Sequence, residues 1–422
     1  MIGMLRFFNG RTLTMRGAPE ITSDEVWVDG DAIVYVGPAR GDAPTFAREL
    51  DLNGDLLLPG FKNAHAHAGM SFARSLADDV PLQPWLFERI FPLEAKLTPE
   101  DVYVFTKLSI LEYLTSGITA AFDMYYFRDA IAQASIDCGF RTVLCGGGGD
   151  AATLETEYHK FNALHPLVSY QLGVHSEYTS SYDELRDVGA LARSLRAPVF
   201  AHNAETKKEV DECIGRYGKT PTALFDALGH FDWGGGGFHC IHLTPRDMEI
   251  FRDRGLWVVT NPGSNAKLAS GVAPLTTLRE MGVGIAIGTD GPSSNNALDF
   301  FRELYLTPAL QKLRTGDAAA CPADDVLRMA TVGGARCMGL DACDCIAPGK
   351  QADLIVIDLQ RPNMQPVHNA ARNLVYSGSK ENVRLTMVAG RVLYENGAFF
   401  IGEDVGDVYR RANERFRALT AR

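Results

Sequence analysis

Histidine and acidic side chains recur in this 422-residue chain at spacings suited to holding a cation. His65-Ala66-His67 repeats with the two-residue period that sends both imidazoles to one side of a strand. Alone, such a pair is a weak signal and reads more readily as two core or hydrogen-bonded histidines. His202 and Asp290 end other apolar runs, and with them the set becomes three imidazoles and one carboxylate. Those are the donors of a borderline divalent cation with a position left for water. Glu205 lies three residues after His202, placed for proton transfer beside such a water; the neighbouring Lys207 and Lys208 equally suit a solvated loop glutamate. His239, within Phe238-His-Cys-Ile-His242, serves either as a ligand or as a group stabilising charge on a reacting atom. If that run alternates as a strand, one of His239 and His242 faces outwards.

The elements that must carry these groups are apolar strands alternating with amphipathic helices, the pattern of a parallel sheet with helical crossovers. Eight strands are predicted: Leu56–His67, Gly117–Met124, Arg141–Gly146, Tyr170–His175, Pro198–Glu205, Gly237–Leu243, Trp257–Asn261 and Val283–Asp290. Helices are predicted over Pro99–Ser116 and Ser181–Leu195, among others. Eight such strands make a closed (β/α)8 TIM barrel, whose chemistry collects at the C-terminal strand ends. The histidines follow that rule: of the ten, only His159, His165, His230 and His368 fall away from strand ends. A doubly wound open sheet fits less well, because no Gly-x-Gly-x-x-Gly turn follows the first strand. Short strands flanked by turn residues occupy residues 1–57 and return only at 347–400, so the two ends are expected to pair into one small β-sandwich. The barrel then spans 58–346 and a helical tail 401–422.

Length alone calls for two domains or one large barrel with an accessory unit. There are 41 basic against 52 acidic residues, a net charge of −11, with no basic cluster to track phosphates. Nucleic acid is therefore a poor partner. The eight cysteines are scattered, and in a chain of this length they read as reduced thiols of a cytoplasmic protein. The N-terminal residues lack a long apolar stretch with a cleavage site, and no 18-residue apolar run occurs, so an unprocessed soluble protein is expected, with no membrane partner.

Seven segments in order, Leu58-Pro-Gly-Phe-Lys-Asn-Ala-His-Ala-His67, Gly173-Val-His-Ser176, Ala201-His-Asn-Ala-Glu-Thr206, Phe238-His-Cys-Ile-His-Leu243, Asn261-Pro-Gly-Ser-Asn265, Gly288-Thr-Asp-Gly291 with Ser294-Asn-Asn296, and Pro348-Gly-Lys-Gln-Ala-Asp-Leu354, carry a resemblance over nearly the whole chain. The sequence resembles the amidohydrolase superfamily, in the chlorohydrolase/deaminase branch that contains S-adenosylhomocysteine and 5′-methylthioadenosine deaminases. The resemblance implies one divalent metal, zinc or sometimes iron, held by His65, His67, His202 and Asp290. It implies that Glu205 shuttles a proton to a ring nitrogen, that His239 assists at the attacked carbon, and that Asp290 accepts the proton of the activated water. It further implies substrate contacts from Trp85, Glu94, His175 and Ser294, with Trp85 packing on a nucleoside and Glu94 bonding both ribose hydroxyls. The implied reaction is hydrolytic deamination of an adenosine-type nucleoside by a homo-oligomer. One departure narrows it: members that bind the amino-acid tail of S-adenosylhomocysteine place arginines just after the third strand, where this chain has Cys145, Gly146–Gly149 and Asp150. That favours adenosine, 5′-methylthioadenosine or 5′-deoxyadenosine. The alternatives are another ring (guanine, a pterin or an s-triazine) at the same metal, and a non-catalytic assembly protein on the same fold.

Overall fold

The computed structural model describes residues 3–422. Phe61–Ala66, Ile118–Asp123, Arg141–Cys145, Val168–Val174, Val199–Asn203, Gly235–His239, Trp257–Thr260 and Gly284–Ile287 pair in chain order as eight parallel strands. The helices between them start at well-formed caps. Thr98 and Asp101 exchange side-chain and backbone bonds at the start of Pro99–Thr115, and Ser181 and Glu184 do so for Tyr182–Leu195. With helices outside and side chains inside, the strands are buried on both faces, which is why they read as continuous apolar runs.

The eighth strand meets the first through residues just past the strand ends. The Asp290 amide donates to the His65 carbonyl at 3.0 Å, and the Thr289 amide to Asn63 Oδ1 at 2.8 Å. Gly288 permits this approach, since a Cβ there would lie 2.7 Å from that of His65. Below the mouth, Phe122, Phe200 and Phe238 fill the barrel, and the His65 ring stacks on Phe238 with centroids 3.8 Å apart.

Strand limits differ from the sequence reading where the backbone turns sharply. Leu56–His67 is two strands, not one: Leu56–Pro59 joins a different sheet, and the barrel strand begins at Phe61. The break falls at Gly60, where a Cβ would lie 2.1 Å from the Thr119 side chain. The sixth strand begins at Gly235 and stops at His239, because His239 and Cys240 adopt left-handed φ angles of 69° and 51°. His242 thus lies outside the strand, and the alternation argument does not reach it. Ala204 (φ 52°) ends the fifth strand in the same way, and Asp290 (φ 61°) turns the chain three residues past the eighth.

The chain ends form two further sheets, of which the seven-stranded one joins segments from both ends. A four-stranded sheet holds Leu5–Phe8, Glu25–Asp29, Ala32–Gly37 and Arg48–Asp51. In a seven-stranded one, Leu56–Pro59 pairs antiparallel with Leu354–Ile357, which pairs with Val383–Val388. Phe7, Val26, Val28, Leu57, Val356 and Met387 form the apolar layer between them. Helix Val405–Ala421 closes the chain and packs on Pro99–Thr115.

One buried polar group ties the seven-stranded sheet to the barrel. Asp353 accepts from Arg141 Nε and Nη2, both at 2.9 Å, from Lys62 Nζ at 3.3 Å and from the Ala389 amide at 2.8 Å. Burial alone would raise its pKa; the two cations outweigh burial and hold it well below the usual carboxylate range. Its stabilising effect is therefore complete above the unfolded carboxylate value near 4 and fades as pH falls further. Asp353→Ala should destabilise the protein by about 3–5 kcal/mol, the loss typical when a buried pair is broken from one side. Urea unfolding at pH 7 measures it.

Candidate metal centre and substrate cavity

Four strand ends deliver their side chains to one point above the aromatic layer. His65, His202, His239 and Asp290 each offer one ligand atom within 4.8 Å of the others, and all four are buried. His67 stands beside them with Nε2 3.2 Å from Asp290 Oδ1, and its ring lies 4.7 Å from that of His65 and 5.5 Å from that of His202. The expected donors His65, His67, His202 and Asp290 are thus brought together, with His239 close enough to form an overlapping set.

Orientation comes from a second ring of polar groups. His67 Nδ1 faces the Met124 carbonyl at 2.5 Å and His202 Nδ1 the His175 carbonyl at 2.7 Å, leaving each Nε2 for the centre. His239 Nδ1 meets Asn265 Oδ1 at 2.7 Å, and Ser264 Oγ donates to Asp290 Oδ2 at 2.6 Å. Among the described residues neither ring nitrogen of His65 has a hydrogen-bond partner, although the side chain is fully buried; Asp290 Oδ1 lies 3.5 Å from its Nε2. A buried imidazole without partners is costly, and a cation at the centre would satisfy it. The donor set fits a divalent metal.

Burial governs the ionisation of the cluster. It pushes His65 down to about 3 and His202 well below the ordinary histidine value, so both are neutral donors. Burial works against the His67 cation too, but Asp290 outweighs it and raises His67 to about 8. Asp290 is held well below the carboxylate range because His65 and His67 overcome its own burial. Burial raises Glu205, keeping a proton on that carboxyl more readily.

Glu205 Oε2 lies 3.9 Å from His239 Nε2, and Ser270 Oγ donates to its Oε1 at 3.1 Å. It is buried rather than a solvated loop residue. The turn presenting it is held by Glu209, whose carboxylate accepts the amides of Ala204 at 3.0 Å and Glu205 at 2.8 Å. His242 turns away, facing the Ser270 carbonyl at 2.9 Å.

Trp85, Glu94, His175 and Ser294 line one cavity of about 460 Å³ together with His67, His202, Glu205, His239 and Asp290. Trp85 opens a short π-helical turn, Trp85–Ile90, and its buried Nε1 has no partner among the described residues. Glu94 accepts from Tyr125 Oη at 2.6 Å; burial raises its pKa and this bond partly offsets the rise. Burial pushes His175 down to about 4. Ser294 Oγ donates to the Gly291 carbonyl at 3.0 Å, inside the loop after Asp290. Sequence reasoning assigned no role to Glu209, Ser264, Asn265, Ser270, Tyr125 or Arg128, all of which touch the site or its wall. Only Ser264 and Asn265 had a signal, in the segment Asn261–Asn265.

A closed (β/α)8 barrel with imidazoles and an aspartate gathered at its C-terminal mouth defines a class, the metal-dependent barrel hydrolases. The Amidohydrolase family pattern matches residues 56–393. The chain belongs to the amidohydrolase family. It is 37% identical over 390 residues to a 5-methylthioadenosine/S-adenosylhomocysteine deaminase from Thermoanaerobacter pseudethanolicus, covering 90% of each chain. An adenosine deaminase from Xanthomonas campestris, solved with bound zinc, superposes with a TM-score of 0.93 at 32% identity over 99% of both chains. An atrazine chlorohydrolase from Arthrobacter aurescens shares the fold, with a TM-score of 0.90 at 20% identity over 98% of this chain and 100% of its own.

Purified protein should carry about one divalent ion per chain, as one such site requires. The double change His65→Ala/His67→Ala should abolish binding, whereas His239→Ala should retain the metal and lose turnover. Elemental analysis decides between the overlapping sets: full metal content in the double variant would refute the assignment of His65 and His67.

Proposed function

We propose that this protein is a divalent-metal-dependent hydrolase that releases ammonia from C6 of an adenosine-type nucleoside and gives the inosine analogue. Within this reading zinc is the ion, held by His65, His67, His202 and Asp290, and the protein works as a cytoplasmic homo-oligomer. The observation that carries it is the shared cavity: Glu94 and Trp85 line the same space as the donor cluster and Glu205. A vicinal diol offers that buried carboxylate two donors at once, which suits a ribose. The deaminase relative at 37% identity and the adenosine deaminase at 32% support the same chemistry.

When bound, the cation supplies Lewis acidity that brings a water toward a pKa of about 7. Asp290 is the proton acceptor, since its carboxylate stays ionised between His65 and His67. Glu205, whose burial favours the protonated form, delivers a proton to the ring nitrogen beside the attacked carbon. His239, its Nδ1 fixed by Asn265, turns Nε2 towards the reacting centre and assists at the attacked carbon. Glu94 accepts the ribose hydroxyls, Trp85 packs on the nucleoside, and His175 and Ser294 contact the substrate from the opposite strand ends. Without an arginine after the third strand, 5′-methylthioadenosine or adenosine is preferred over S-adenosylhomocysteine.

A panel of nucleosides and nucleobases assayed for ammonia release tests the reading; turnover of guanine or a pterin alone would overturn it. Glu205→Gln should lower kcat by about 100- to 10,000-fold, the usual range for a general acid–base group, with metal content intact. Glu94→Gln should raise KM for nucleosides far more than for free adenine, because charged hydrogen bonds are worth about 1.5–3 kcal/mol each.

A further inference from the structure

The wall of the cavity beyond Glu94 carries a charge pair that the proposed chemistry does not use. Arg128 follows the second barrel strand, Glu157 sits on helix Ala151–Asn162, and both line the cavity beside Gly147–Gly149. Arg128 Nε donates to Glu157 Oε2 at 2.8 Å, and Tyr170 Oη donates to the same oxygen at 3.0 Å. Arg128 Nη1 donates to the Tyr125 carbonyl at 3.1 Å, while the Tyr125 hydroxyl holds Glu94. Tyr125 therefore links Glu94 to this guanidinium; with the ribose on Glu94, as the proposed function has it, Arg128 is on the adjoining stretch of wall, where a 5′ substituent would extend. The Arg128 and Glu157 side chains are only 12% and 19% exposed, so water screens them weakly.

We propose that Glu157 is a specificity determinant that excludes anionic 5′ groups, making the site one for nucleosides and not for nucleotides. The inference rests on the nucleoside reading above. Arg128 is the cation of this wall, and Glu157 neutralises it. A 5′-phosphate or 5′-carboxylate brought beside the pair would set further negative charge against Glu157 in a partly dehydrated space, and one guanidinium cannot compensate both. At the rim, Asp129 pairs with Lys160, which adds no net charge. Gly147–Gly149 offer no side chain to supply another cation or to fill the space, so charge and not bulk sets the selection. An uncharged 5′-methylthio, 5′-hydroxyl or 5′-deoxy group meets no such penalty.

The test compares kcat/KM for adenosine 5′-monophosphate with that for 5′-deoxyadenosine in the wild type, Glu157→Gln and the double variant Arg128→Gln/Glu157→Gln, with thermal unfolding of each. The monophosphate to 5′-deoxyadenosine ratio should be low in the wild type. It should rise by at least about tenfold in Glu157→Gln, since juxtaposed like charges cost several kcal/mol, and fall back in the double variant. Glu157→Met removes the same charge with different packing and replaces the glutamine variant if that one does not fold. An unchanged ratio in the single variants, or a gain that survives in the double, overturns the role of Glu157. A metal-replete wild type that deaminates no adenosine-type nucleoside overturns the nucleoside reading instead, which is a separate result.

Discussion

Asp290 performs two tasks with one residue, and the rest of the architecture depends on their coincidence. Its amide joins the eighth strand to His65 on the first, and its carboxylate stands between the imidazoles of His65 and His67. The seam of the barrel and the donor cluster are therefore one piece of geometry. A buried carboxylate is expensive unless a cation or protons on its neighbours compensate it. That cost explains why Asp290 stays ionised only in company, and why the fold brings several strand ends to this one point.

Holding the cluster requires backbone that ordinary strands do not supply. Ala204, His239, Cys240 and Asp290 all take left-handed φ angles, each a conformation costing a non-glycine residue about 1–2 kcal/mol. The surroundings enforce them. Glu209 gathers the amides of Ala204 and Glu205, and the amides of Ile241 and His242 donate to the Ala204 carbonyl at 3.0 and 2.9 Å. Strain placed at strand ends aims Glu205 and His239 across the mouth at each other, a geometry that extended strands alone would not reach.

The cavity extends this logic from metal to substrate. Its floor is titratable, its middle carries one buried carboxylate at Glu94, and its far wall carries a neutralised pair, Arg128 and Glu157. Charge is thus graded along the path, with uncompensated groups only where chemistry and ribose recognition would use them. Family membership accounts for the floor. The middle and the wall are formed by residues outside the donor cluster: Trp85, Glu94 and Tyr125, then Arg128 and Glu157.

The sequence by itself determined the barrel, its eight strands in order, and the histidines and carboxylates at strand ends, because a two-residue period and apolar runs are local properties of the chain. His65, His67, His202, Asp290 and Glu205 were legible for that reason. Tertiary structure alone decided what sequence distance conceals. Gly60 divides an apparently single strand because Thr119 crowds it, and left-handed turns end the fifth and sixth strands before their apolar runs do. Arg128 follows the second strand with no motif around it, and only the fold brings it to the cavity wall beside Gly147–Gly149. Glu209, Ser270 and Asn265 have no motif of their own; their roles exist only as hydrogen bonds between segments that the closed barrel brings within 3 Å or so, and pairings of that kind are set by three-dimensional packing rather than by spacing along the chain.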